Sequence, residues 1–127
     1  MKKNNKKGFT LVELVIVVAV MAILVAIAIP TIGTITKDAQ DAVNKSNANT
    51  IESMIKLEAA KHDANDDGTV TVDAALIKTA LTNAKLGIES GTFYYITATG
   101  AVQTTAPGAG VDSITITYAG GKLTAPA

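Results

Sequence analysis

A single carboxylate, Glu13, stands inside residues 9–29, where Thr10 is the only other polar side chain. An ionisable group in the apolar layer of a membrane costs a few kcal/mol unless it finds a partner. A Glu kept at such a place is a candidate for pairing with a positive charge. The acidic segment 63–68 is a second candidate. It sets Asp63, Asn65 and Asp67 at alternate positions ahead of Gly68. That D-x-N-x-D-G spacing is the start of an EF-hand calcium loop, in which carboxylate and amide oxygens suit a hard cation and Gly makes the turn. The twelfth position, which needs an acid, is Ala74, and Asp73 falls one place early. A solvated acidic turn is therefore the expectation, and no cofactor is expected, calcium being the one these residues suggest. His62 is the only histidine and there is no cysteine. That removes thiol chemistry and leaves no transition-metal ligand set. Ser, His and Asp occur without a nucleophile motif, so no catalytic constellation is expected and the chain reads as a non-enzyme.

The elements that must position these residues follow from the pattern of apolar side chains. Residues 9–29 span roughly 30 Å as a helix, enough for a bilayer core and longer than a usual signal-peptide core. No small-x-small cleavage site ends the run; it leads into Pro30 and a further helical pattern. Ile32, Ile35, Ala39, Ala42 and Val43 recur at three- and four-residue spacing, and the stripe resumes at Ile51, Met54 and Ile55, with Leu57 as a further candidate. Pro30 removes a backbone donor and can kink such a helix. One helix from Phe9 to about Lys61 is expected, longer than a small globular domain needs. Asp67-Gly68 signals a turn. Thr71 or Asp73 then caps a second helix with Leu76, Ile77, Ala80, Leu81 and Ala84 on its apolar face and Gly87 at its end.

The last third reads as strands. Residues 92–97 are aromatic and β-branched, and Thr99-Gly100 turns into 101–105. Residues 113–118 alternate, with Ile114 and Ile116 on one face, and Gly120-Gly121 turns into 122–124. Alternation should divide Phe93, Tyr94 and Tyr95 between core and surface. The expected fold class is α+β: a long N-terminal helix, a short second helix and a small antiparallel sheet.

Charge is asymmetric. All basic residues are Lys, and Lys2, Lys3, Lys6 and Lys7 precede Gly8. Beyond Gly8, 7 Lys face 11 Asp and Glu, a net charge of −4. A mildly acidic, Arg-free body is a poor nucleic-acid binder, which needs concentrated positive charge. The basic segment ahead of the apolar run is expected to stay on the cytoplasmic side of a membrane.

The string Lys7-Gly8-Phe9-Thr10-Leu11-Val12-Glu13, preceded by a short basic leader and followed by apolar sequence, resembles the type III signal of type IV prepilins and pseudopilins. Pro30 falls where many pilins carry a proline. The N-terminal resemblance covers residues 1–35; beyond it the agreement is one of architecture, the pilin fold. It implies cleavage between Gly8 and Phe9 by a membrane prepilin peptidase and N-methylation of Phe9. It also implies that Glu13 and Pro30 serve assembly: Glu13 pairs with the Phe9 amine of a neighbouring subunit, or neutralises that of its own chain in the monomer, and Pro30 bends or locally unwinds the helix. The implied organisation is a leader at 1–8, a transmembrane and filament-core helix at 9–30, and a head at 31–127.

The implied function is that of a structural type IV pilus subunit. It is a single-pass membrane precursor that becomes a helical homo-oligomer at the cell surface, working with an assembly platform and minor pilins. Two rivals stand beside it. A major pseudopilin of a type II secretion or competence system shares the N-terminal features. Competence pseudopilins usually carry a cysteine pair, absent here, and secretion pseudopilins often carry a calcium loop late in the chain, where residues 106–127 offer only Asp112. The rival of another class is a membrane-anchored binding module that uses the acidic loop.

Overall fold

A computed structural model describes residues 8–63 and 70–126. They form a 53-residue helix α1 (Leu11–Asp63), a second helix α2 (Ala74–Ala84) and four strands: β1 (Gly91–Ile96), β2 (Val102–Gln103), β3 (Ser113–Ala119) and β4 (Lys122–Ala125). The chain divides into two units, Met1–Gln40 and Asp41–Ala127, with α1 contributing to both.

In the first unit every described residue is exposed, although most are apolar. The helix is nonetheless regular, because its backbone donors and acceptors are satisfied within the segment. It is long and apolar enough to cross a membrane. Pro30 lies inside α1, which continues through it. Nearby hydroxyls serve as local donors: Thr31 Oγ1 to the Ile27 carbonyl at 3.0 Å, and Thr36 Oγ1 to that of Ile32 at 2.8 Å. The stripe anticipated from Ile32 to Val43 has no covering layer within the chain, since Ile32, Ile35, Ala39, Ala42 and Val43 are all exposed.

The second unit holds the core. From α1 it takes Ala48, Ile51 and Ile55, spaced by three and four residues on one face. Met54 packs at its margin, whereas Leu57 is exposed and not part of the stripe. Helix α2 contributes Ile77, Ala80 and Leu81. Its N-cap is Asp73, whose carboxylate accepts the Leu76 N–H at 2.8 Å, satisfying one of the donors that a helix start leaves without a partner. The helix stops earlier than Gly87 signalled. It ends at Ala84, and Lys85 takes the left-handed conformation (φ 46°) that glycine usually supplies.

The sheet is antiparallel, in the order β2-β1-β3-β4. It consists of two hairpins joined through their first strands, with Phe93 opposite Ile116 and Tyr95 opposite Ile114. The β1–β2 turn closes with the Gly100 N–H donating to the Ile96 carbonyl at 2.8 Å. The β3–β4 turn is Gly120-Gly121, both at positive φ (55° and 72°), as a two-residue hairpin turn of this type requires. Strand alternation sends Phe93, Tyr95, Ile116 and Tyr118 into the core and leaves Tyr94 half-exposed. Strand β2 is shorter than the 101–105 segment anticipated.

A long-range polar contact fastens helix to sheet. Glu52 Oε2 accepts the Val102 N–H of β2 at 3.1 Å, across 50 residues of sequence. Its other oxygen meets Lys56 Nζ at 2.5 Å, one turn along α1. The Lys56 hydrogen bond and then the Val102 amide hold the Glu52 carboxyl below the ordinary carboxylate range.

Candidate processing and assembly site

Gly8, Phe9 and Thr10 precede α1 and are not helical. The bond between Gly8 and Phe9 therefore sits in accessible chain ahead of the helix. A Cβ at Gly8 would meet nothing within 4 Å, and Phe9 is 83% exposed. Gly8 is thus not needed for packing inside this chain. Its missing side chain matters only to something that approaches from outside.

Helix α1 starts at Thr10. Its carbonyl accepts the Leu14 N–H at 3.3 Å, the first helical hydrogen bond. Two further bonds close the end reciprocally. Thr10 Oγ1 accepts the Glu13 N–H at 3.3 Å, and Glu13 Oε2 accepts the Thr10 N–H at 3.0 Å. This is a capping box, in which residues three apart satisfy each other's backbone donors. Threonine as N-cap and a carboxylate in the first turn both suit the positive end of the helix. In a segment poor in water the box removes two donors that would otherwise go without a partner.

Thr10 is the functional residue that the sequence reading missed. Its signal was present, since Thr10-Leu11-Val12-Glu13 is the T-x-x-E pattern that precedes apolar helices. The sequence marks Glu13 as a charge in an apolar run, and the structure adds its local role as a cap. The two roles are compatible. The Thr10 N–H is the first amide after Phe9, so the carboxylate lies within about one residue of the position at which cleavage frees an amine. Only Oε2 is used by the cap, and Oε1 has no hydrogen-bond partner among the described residues.

The remaining candidates are not brought to this place. Pro30 lies five turns along α1. Asp63 is the last residue of that helix, and Asn65 and Asp67 fall outside the described residues. Asp73 already caps α2. Among the described residues no three His, Cys, Asp or Glu side chains form a group that could hold a metal ion. His62 is exposed in the last turn of α1.

Comparison with known proteins bears on the N-terminal segment. No curated protein and no solved structure matches the chain. Residues 3–29 match the family model described as the prokaryotic N-terminal methylation motif. That model spans the basic segment, the Gly8 and Phe9 junction, the capping box and the apolar run up to the residue before Pro30. The match and the α+β architecture agree, and the chain carries the signal of a type IV pilin or pseudopilin-like prepilin.

Proposed function

We propose that the chain is a structural subunit of a type IV pilus, stored in the membrane and polymerised through α1 after cleavage between Gly8 and Phe9. The observation that carries this reading is the exposure of every described residue of the first unit. A regular helix with apolar side chains all around it, and none of them covered by its own chain, needs another apolar environment. The bilayer supplies it for the stored precursor, and the helices of neighbouring copies supply it in a fibre. Residues 1–8 are the leader, 9–30 the membrane and filament-core segment, and 31–127 the head. A prepilin peptidase removes the leader, and N-methylation follows on Phe9. The assembly platform and minor pilins are the further partners, and the destination is the cell surface.

Glu13 gives assembly its register. Its capping oxygen holds the carboxylate at the helix start, and its second oxygen receives the Phe9 amine of a neighbour. Pro30 serves assembly by lacking the N–H that would tie it to the Ala26 carbonyl, which lets α1 adjust as copies pack. The test is biochemical. Cells expressing the chain are sheared, and the released material is imaged by electron microscopy and analysed by mass spectrometry. Fibres made of a protein that begins at methylated Phe9 are expected. A surface protein that keeps Met1 rules the reading out, and short periplasm-spanning fibres that shearing does not release would give the pseudopilin alternative.

A further inference from the structure

Between the C-terminal end of α2 and the β3–β4 hairpin lies a cavity of about 460 Å³, floored by Leu81, Leu86 and Leu123 and bordered by Lys85, Lys122 and Tyr118. Three features of this wall go unused by the chain itself. First, Tyr118 is 4% exposed, and its hydroxyl is the buried side-chain polar atom left without a hydrogen-bond partner among the described residues. A buried hydroxyl in that condition weakens the fold. Second, Lys85 is the non-glycine residue at positive φ (46°). Glycine or asparagine ordinarily stands there, so a lysine keeps its side chain against a backbone preference. Third, neither Lys85 nor Lys122 forms an ion pair among the described residues, whereas Lys56 and Lys61 both do.

Among the described residues no carboxylate lines the cavity. Two uncompensated ammonium groups over a leucine floor suit a molecule that is negative at one end and apolar at the other. Two full charges exceed the half-charge of the nearby helix C-terminus, which opposes an anion. The Tyr118 hydroxyl is sealed behind this wall and takes no part in holding the ligand. We propose that this cavity binds a small ligand that joins a carboxylate to a short apolar body. The apolar part covers the leucines, and the carboxylate lies between the ammonium groups. The site is separate from the Gly8 and Glu13 region and does not depend on its role.

The full chain, in lipid nanodiscs, is titrated with N-acetyl-leucine, N-acetyl-leucinamide and hexanoate while the NMR signals of the Tyr118 ring and of the Gly87 and Gly121 amides are followed. N-acetyl-leucine should shift all three signals saturably, and its uncharged amide should not. Lys122→Gln should weaken the response up to about fivefold, the range of one exposed charge pair. Lys85→Gly should do the same while giving the left-handed position its preferred residue, so loss of folding is not an explanation. Tyr118→Phe, which alters only a hydroxyl sealed from the cavity, should leave the affinity unchanged. Comparable binding of hexanoate extends the class to short acyl chains, and its failure restricts the class to the peptide type. An equal response to the amide, a response that does not saturate, or affinities unchanged in both lysine variants overturns the proposal.

Discussion

At the scale of single residues, two side chains make opposite demands. The Tyr118 hydroxyl is buried without a partner, and burial pushes its pKa up. Removing it should help the fold: Tyr118→Phe is expected to stabilise the protein by about 1 kcal/mol, since the cost of an unsatisfied hydroxyl disappears and the ring stays. Chemical denaturation of the purified chain measures this, and a loss of stability would mean that the hydroxyl has a partner in solution. Glu13 lends one carboxylate oxygen to the capping box, and two substitutions separate its roles. Glu13→Gln retains an acceptor for the Thr10 N–H, so the capping box can persist, but it removes the charge. Glu13→Ala removes both. If pairing with the Phe9 amine drives assembly, both variants lose fibre, because an uncompensated charge in a dry interface costs about 3–5 kcal/mol. If capping alone matters, the Gln variant assembles normally. Blotting of sheared and membrane fractions reads the result, and both variants should stay in the membrane, since losing a carboxylate makes the run easier to insert.

At the scale of elements, the anchor of the sheet on α1 is small and specific. Ile51 is fully buried and lies between Ala48 and Ile55. Ile51→Ala should cost about 2–5 kcal/mol in head stability, seen as early loss of the cooperative unfolding transition while membrane insertion is retained. The Glu52 contact adds a pH dependence with a definite sign. Its carboxyl pKa is lowered in the fold. The contribution is therefore present above the ordinary value of 4.5 and is lost as pH falls through the lower folded value. Wild type and Glu52→Leu should differ in stability at neutral pH and converge in acid; a gap that persists in acid would exclude the carboxylate as its source. These two contacts also mark what the sequence could and could not tell. The long apolar run, the two hairpins and the Asp73 cap were legible because each is a local pattern. The stripe on α1 was misjudged because Ala48 sits among polar neighbours in a stretch that reads as solvent-facing. The Glu52 contact with Val102 joins residues 50 apart, and no local pattern announces such a bond. Lys85 at the end of α2 went unanticipated because glycine two residues later was the stronger signal.

At the scale of the whole molecule, the proposed cleavage at Gly8 carries its own prediction. Gly8→Val adds a side chain where the structure has open space, so the fold should be unaffected and any effect must come from an outside partner. Unprocessed precursor should accumulate in the membrane, visible as a mass that keeps the leader. The acidic segment gives a second whole-protein prediction. With Ala74 at the twelfth position and Asp73 committed to capping, calorimetry of the full chain should show no saturable calcium binding at low micromolar concentration. A stoichiometric signal abolished by Asp63→Ala would establish a site there.

The bond from Glu52 to Val102 has one more consequence. Strand β2 is an edge of the sheet, and an edge N–H is an invitation to a foreign strand. Here that donor is already taken by the helix. In the proposed fibre, copies side by side would meet at very high effective concentration, the condition under which stray sheet-to-sheet joining is fastest. By occupying the Val102 donor, the Glu52 carboxylate takes one edge N–H out of reach of a neighbouring strand. Growth of the polymer is then left to the helices, and an acid-exposed or Glu52-deficient population is the one that should clump.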